Sequence, residues 1–152
     1  MINENFFLSP GGVFFRKTQS FMKAAFNQIG LNLIDGLVLL NVGKNDGTIQ
    51  ENIAHDLALD TTAVTRSLKE LEKKKLIKRI IDSNNQRTKC VYMEPEGIEY
   101  NKKLKAVMKY WHNIILYDFT EDEQKMAIKI FEHLKICSID MDINQVVKNL
   151  FN

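Results

Sequence analysis

The feature that most constrains the fold is a pair of short helical segments separated by only a few residues, between positions 48 and 75. The first segment opens on Thr-Ile-Gln-Glu at 48–51, which has the S/T-x-x-E form of a capping box. After a brief turn, Asp60 is a residue type favoured as an N-cap, and it predicts a second helix from Thr61 to about Lys75. Two helices joined by so short a turn predict a helix-turn-helix.

The second helix of this pair has one apolar and one polar face. At about 100° per residue, Val64, Leu68 and Leu71 fall within roughly 60° of one another. The opposite face carries Thr62, Arg66, Lys69 and Lys73. A helix that packs on one side and bears base- and phosphate-seeking side chains on the other is suited to the major groove of DNA.

Positive charge is concentrated around this helix. Residues 61–90 contain nine lysines and arginines and three acidic residues, a net charge of +6, whereas the whole chain carries +2. The rest of the chain therefore sums to −4. A solvated helix face is the ordinary explanation for a lysine cluster alone, but charge confined to one stretch is what a phosphate-binding surface requires. Its place on a helix-turn-helix favours nucleic acid as the partner.

Position along the helix predicts a role for each side chain. The three threonines lie near the N-terminal end, which approaches the base edges in this geometry. The arginine is the best candidate for direct readout, because a guanidinium can bind guanine through two hydrogen bonds. The two lysines further along are predicted to contact phosphates and set the register. The predicted contacts of this helix are Thr61, Thr62, Thr65, Arg66, Lys69 and Lys73.

A β-hairpin is predicted directly after the second helix. Residues 76–81 and 88–93 are rich in β-branched and aromatic side chains. Between them lies the polar sequence Asp-Ser-Asn-Asn-Gln-Arg at 82–87. The pattern predicts a two-stranded hairpin with a polar tip.

The tip of this hairpin is the second predicted DNA contact. Arg87 is predicted to enter a neighbouring minor groove, whose negative potential attracts arginine. Asn84 and Asn85 at the tip belong to the same predicted interface. The alternative is an ordinary surface arginine that pairs with Asp82, which we disfavour because surface ion pairs contribute little free energy.

Amphipathic helices are predicted on both sides of this core. One runs from Ser9-Pro10 to Gly30, and an almost wholly apolar one follows from Leu33 to the turn at 43–47. Pro95 suits the first turn of a long helix. A second capping box at 120–123 opens another helix, and a last short one covers 142–151.

These patterns predict a mainly α chain with a small antiparallel β-hairpin wing. The expected organisation is one chain, 1–152, with a winged helix-turn-helix core at 31–94 and extra dimerisation helices at 1–30 and 95–152. The ends of the chain carry more apolar surface than a small monomer readily hides, which predicts a homodimer. These side chains are Phe6, Phe7, Phe14, Ile139, Val146, Val147, Leu150 and Phe151. Two-fold symmetry then predicts a pseudo-palindromic site on double-stranded DNA.

The order and spacing of these motifs resemble the MarR family of winged-helix regulators. Ile53-Ala54 resembles the family's "LA", and residues 61–66 are similar to its "S-x-S-T-V-T-R" entry into the recognition helix. Residues 71–79 are similar to "LEKKGLVxR", and 82–87 to the wing's "D-P-E-D-x-R", with Gly97 matching the glycine that follows. The match is clearest from Thr48 to Gly97.

Four residues, at three places in the chain, depart from the family pattern. Lys75 stands where a glycine is usual, Asn85 where the wing aspartate is expected, and Met93-Glu94 where the family has "LT". The resemblance implies a dimer built from the first and last helices.

The functional hypothesis is a sequence-specific DNA-binding transcriptional regulator, a repressor of its own or neighbouring genes that a small-molecule effector releases. Two alternatives stay open: a winged-helix module that binds an acidic protein partner, and a nonspecific architectural DNA-binding protein. An aromatic or lipophilic effector would lie against a group of side chains that helical spacing more often places in a core. They are Phe21, Met22, Phe26, Met108 and Trp111, with Gly36 as a sign of close packing or a ligand-facing gap.

No catalytic, cofactor or metal site is predicted. The three histidines lack metal-ligand spacing, and no Walker, Rossmann or GxSxG pattern occurs, so an enzyme is not expected. Cys90 and Cys137 have neither CxxC spacing nor the density of a disulfide framework, which favours reduced thiols. No apolar run of membrane-spanning length occurs, so we expect a cytoplasmic protein with no membrane partner.

Overall fold

A computed structural model of the chain describes residues 10–151. That part of the chain is mainly helical and contains one small antiparallel sheet, as the sequence predicts. Its elements are α1 (Pro10–Gln28), α2 (Leu33–Val42), β1 (Thr48–Ile49), α3 (Gln50–Leu57), α4 (Thr61–Lys73), β2 (Ile77–Asp82), β3 (Asn85–Met93), α5 (Pro95–Ile115), α6 (Glu121–Ser138) and α7 (Ile143–Phe151). Two of the side chains predicted to form the dimer surface, Phe6 and Phe7, lie outside the described residues.

The helix-turn-helix is confirmed as α3 and α4, but its entrance differs from the prediction. Asp60 caps α4, because its Oδ1 accepts a hydrogen bond from Ala63 N over 2.8 Å. The predicted capping box at Thr48 is wrong. Ile49 occupies the N-cap of α3 without a side-chain cap, and Thr48 pairs with Val91 as part of β1. An N-cap residue is extended, so its backbone can also serve as the end of a strand.

The sheet has three strands in the order β1-β3-β2, one more than the predicted hairpin. The central strand β3 pairs antiparallel with both neighbours. On the hairpin side, Ile77 lies opposite Met93 and Arg79 opposite Val91. Because Thr48 lies opposite Val91 on the other side, β1 joins the base of the wing to the start of α3.

One apolar core lies beneath the helix-turn-helix. It is built from α1 to α5 and the base of the sheet, and α2, which is almost wholly apolar, contributes the largest share. The buried side chains are Phe26, Leu31, Val38, Leu39, Val42, Ile53, Ala54, Val64, Leu68, Leu71, Leu76, Ile77, Val91 and Leu104. Three of them, Val64, Leu68 and Leu71, are the predicted apolar face of α4.

The chain divides into two compact units, one through Trp111 and one from His112 onward. The second unit holds the end of α5, α6 and α7, and no side chain of its described part, 112–151, is buried. Thr120 and Glu123 form the predicted capping box at the start of α6. Helix α7 is strongly amphipathic, and its apolar side chains are exposed.

Candidate nucleic-acid interface

The polar face of α4 is exposed along the length of the helix. Its side chains lie at the surface because the opposite face is buried against the core; they are Thr62, Arg66, Lys69 and Lys73. The cap at Asp60 fixes the first turn, so the end that carries the threonines has a defined start. The arrangement matches the geometry of a helix that inserts into a groove.

Thr65 is placed differently from the other predicted contacts. It is half-buried, and its hydroxyl donates to the Thr61 carbonyl over 2.7 Å. The same oxygen accepts a hydrogen bond from Gln50 Nε2 over 2.9 Å. Thr65 is therefore held by α3 at the edge of the polar face, whereas Thr61 and Thr62 are exposed.

The wing tip is organised by short polar turns. Asp82 Oδ1 accepts a hydrogen bond from Asn84 N over 2.9 Å, and Asn85 Oδ1 accepts one from Arg87 N over 3.1 Å. Asn85 therefore holds the backbone at Arg87, although it brings no charge to the guanidinium. Arg87 is exposed and forms no ion pair with Asp82 in the described part of the chain.

Three of the nine basic residues in the 61–90 stretch are engaged inside the fold. Lys74 Nζ donates to the Gly30 carbonyl over 2.7 Å, Lys78 lies 3.4 Å from a Glu94 oxygen, and Arg79 pairs with Glu72. The other six are exposed and form no ion pair among residues 10–151. They are Arg66, Lys69, Lys73, Lys75, Arg87 and Lys89, which we call the free basic set.

Two residues that join the parts of this surface were missed from the sequence. Glu72 on α4 accepts hydrogen bonds from Arg79 on β2, and this bonding lowers the pKa of the Glu72 carboxyl. Gln50, the first residue of α3, joins that helix to Thr65 of α4. No local pattern predicts either pair, because each depends on how separate elements pack. Gln50 also lines a small cleft of about 170 Å³ with Arg79, Arg87 and other residues of the wing.

A larger cleft lies beside α4, between α1 and the start of α2. Its volume is about 700 Å³, and Lys23, Arg66 and Glu70 are among its lining residues. Asp35 and Ser67 at its floor are buried. Burial raises the pKa of the Asp35 carboxyl, and the nearby Ser67 hydroxyl offsets part of that shift. Among the described atoms, Ser67 Oγ forms no hydrogen bond of standard geometry.

The aromatic side chains considered for an effector site pack against one another. The rings of Phe21 and Trp111 stack with their centroids 4.4 Å apart. The indole N–H of Trp111 donates to Thr18 Oγ1 over 3.1 Å. Phe26 is fully buried and lies where a side chain at Gly36 would have to be, so Gly36 reflects close packing and not a ligand-facing gap.

Within residues 10–151, no group of three or more histidine, cysteine, aspartate or glutamate side chains is placed to hold a metal ion. Cys90 and Cys137 are free thiols. Over the same residues no single helix has the length and apolar character to cross a membrane, and α1 with α2 meets that test only as a pair bent by 84°.

Comparisons with known proteins agree with this architecture. The model of the MarR family matches residues 31–89. A curated relative, the uncharacterized HTH-type transcriptional regulator YybA of Bacillus subtilis, is 26% identical over 137 residues, which cover 90% of this chain and 91% of the relative.

Solved structures of the same kind superpose over most of the chain. A putative MarR family regulator from Listeria monocytogenes, complexed with 26mer DNA, gives a TM-score of 0.82 at 27% identity, covering 88% of this chain and 89% of that one. The PcaV regulator from Streptomyces coelicolor, in complex with its natural ligand, gives 0.68 at 17% identity, covering 88% and 96%. The family model spans the helix-turn-helix and most of the wing, so residues 31–89 match the MarR family, and the chain resembles winged helix-turn-helix transcriptional regulators of that family over most of its length.

Proposed function

We propose that the chain is a dimeric, sequence-specific DNA-binding repressor of its own or neighbouring genes, released by a small-molecule effector. Helix α4 enters the major groove, and the wing between β2 and β3 reaches the adjacent minor groove. Such a protein acts where the chromosome is, in the bacterial cytoplasm. We assign no catalytic step to it.

The observation that carries this proposal is the division of α4 into two faces. Val64, Leu68 and Leu71 are fully buried, which leaves Arg66 and its polar neighbours exposed in one row. The free basic set extends this row to the wing, so both predicted groove contacts carry uncompensated positive charge. The DNA complex of the Listeria relative, at 27% identity, supports the same use of the surface.

The dimer is proposed to form through the flanking helices, in residues 1–30 and 95–152, because the described parts of these ranges expose apolar side chains. Helix α1 exposes Val13 and Phe15, and the second unit exposes a larger set on α6 and α7. In α7 these side chains are Ile143, Val146, Val147, Leu150 and Phe151. Exposed apolar area of this extent is typical of a subunit interface. The core at 31–94 then supplies one DNA half-site contact per chain.

The effector site is proposed in the cleft between α1, α2 and α4. Its volume of about 700 Å³ is within the range of small-molecule sites, and Arg66 lines it while belonging to the reading face. A ligand that engages Arg66 there competes with DNA for the same side chain. The rings of Phe21 and Trp111 stack directly on each other and leave no room for a ligand between them, so the polar cleft is the better candidate for the effector site.

The proposal is tested by selecting bound sequences from a random duplex library with the full-length protein and measuring affinity across salt concentrations. A repressor enriches an inverted repeat and binds it at least about 10³-fold more tightly than random DNA. An architectural protein binds both alike, and a protein-interaction module binds neither. The Arg66→Ala variant should lose preference at one base position per half-site. An equal loss on every sequence would contradict its role as a base reader.

A further inference from the structure

Gln50 lies outside the predicted DNA-binding face of α4, yet its side chain forms a hydrogen bond with Thr65 of that helix. Its Nε2 donates to Thr65 Oγ1 over 2.9 Å, and Thr65 Oγ1 donates in turn to the Thr61 carbonyl over 2.7 Å. Because the single hydroxyl proton goes to the carbonyl, Gln50 has to be the donor in the first bond. The orientation of both side chains is thereby fixed.

These two bonds limit what Thr65 can offer to DNA. A hydroxyl has one proton and two acceptor positions, and here the proton and one acceptor position are already used. What remains is one lone pair and the methyl group. Held in this way, Thr65 can accept a hydrogen bond from the amino group of cytosine or adenine, or contact the thymine methyl. It cannot donate to the acceptors of guanine.

A threonine in a helix has two accessible side-chain rotamers, since its hydroxyl can reach a preceding carbonyl in either. The bond to the Thr61 carbonyl alone therefore does not select one of them. The hydrogen bond from Gln50 selects one of these rotamers, because it holds Thr65 Oγ1 on the side that faces the start of α3.

We propose that Gln50 is a positioning residue for base recognition: through its bond to Thr65, it fixes which group of that side chain faces the DNA. Gln50 thus sets part of the operator specificity from a different helix. This inference rests on the proposed entry of α4 into the major groove. Gln50 is then a determinant of specificity that does not itself lie on the exposed face of α4.

The test compares four full-length proteins: wild type, Gln50→Met, Thr65→Val and the double variant. Methionine keeps the length of glutamine but removes the amide, and valine keeps the shape of threonine but removes the hydroxyl. Affinities are measured on the selected operator and on duplexes that carry each other base at each position of one half-site. The matched control is Gln28→Met on the exposed end of α1, where the described residues give the side chain no hydrogen bond.

Gln50→Met should reduce the discrimination between bases at one position about fivefold, with random-DNA affinity and thermal stability close to wild type. Thr65→Val should alter the same position, and the double variant should show no further change. A uniform loss across all sequences, or a position that changes in Gln50→Met but not in Thr65→Val, would overturn the inference. If the wild type shows no sequence preference at all, the proposed function itself has failed, which is a separate result.

Discussion

Arg79 on β2 donates from Nε and Nη2 to one carboxylate oxygen of Glu72 on α4, over 3.0 and 2.5 Å. The Arg79 side chain is 19% exposed and that of Glu72 is 39% exposed. The pair joins the last turn of α4 to β2, the first strand of the wing. The distance between the two parts proposed to contact DNA is therefore set by a specific ion pair as well as by the apolar core.

Replacing Arg79 by methionine should destabilise the protein by about 1 kcal/mol, since the pair is only partly shielded from solvent. The measurement is urea unfolding of both proteins across pH. Pairing lowers the pKa of Glu72, so its contribution is present above the ordinary glutamate pKa and is lost as the pH falls through the lowered value. The difference between the two proteins should therefore narrow in acid. Lys78→Met, which removes a more exposed pair with Glu94, should change stability by less than about 0.5 kcal/mol.

Lys75 has a backbone φ of +57°, in the left-handed region, where the family usually has glycine. A side chain in this conformation costs about 1 kcal/mol relative to glycine. Lys75→Gly should therefore stabilise the protein by up to about 1 kcal/mol in urea unfolding. The same substitution at Lys69, in the interior of α4, should destabilise it by about 1 kcal/mol. If both variants lost stability equally, strain at Lys75 would not be the cause.

The sequence predicted those parts of the fold that short-range patterns determine. The apolar period of α4, the cap at Asp60 and the capping box at Thr120 each depend on residues within one or two turns, and all three are confirmed. The hairpin was predicted for the same reason. The third strand of the sheet was missed because Thr48 and Ile49 pair with β3, about 40 residues further along the chain. The local motif at Thr48 resembled a helix cap instead.

The chemistry of the interface was less accessible from the sequence. The row of polar residues on α4 follows from helix geometry and could be listed in advance. The bonds of Thr65 to Gln50 and of Glu72 to Arg79 depend on the packing of α3 and β2 against α4. The count of charges in the sequence also treated Lys74 like Lys73. The structure distinguishes them, because Lys74 Nζ donates a hydrogen bond to the Gly30 carbonyl.

Gly97, at the start of α5, should not tolerate a side chain. A Cβ there would collide with the backbone carbonyl of Leu76, which accepts a hydrogen bond from Glu94 N over 3.0 Å. Backbone cannot move aside as a flexible side chain can, so Gly97→Ala should destabilise the protein by about 2–3 kcal/mol. Gly30→Ala is the control. It has a positive φ but open space around it, and it should cost only about 1 kcal/mol in the same unfolding experiment.

Asp35 should make the protein less stable at neutral pH than its asparagine variant. Burial raises the pKa of this carboxyl, so the folded state disfavours the charge that the unfolded chain accepts. The stability it contributes is fully present below the unfolded pKa and is lost as the pH rises through the folded value. Asp35→Asn keeps an oxygen for the Asn32 amide and should gain on the order of 1 kcal/mol at neutral pH. Thermal melts should show this gain shrinking in acid, and Asp118→Asn, at an exposed position, is the matched control.

Neighbouring lysines at the end of α4 should differ in their effect on the salt dependence of DNA binding. Lys73 belongs to the free basic set, so it can displace a counterion from a phosphate, whereas Lys74 Nζ is held by the Gly30 carbonyl. In the dimer, Lys73→Ala should reduce the slope of log affinity against log salt by about 2, one for each chain. Lys74→Ala should leave the slope unchanged and lower the unfolding free energy instead. Equal slopes for the two variants, measured by fluorescence anisotropy on one operator, would mean that Lys74 leaves the carbonyl to bind DNA.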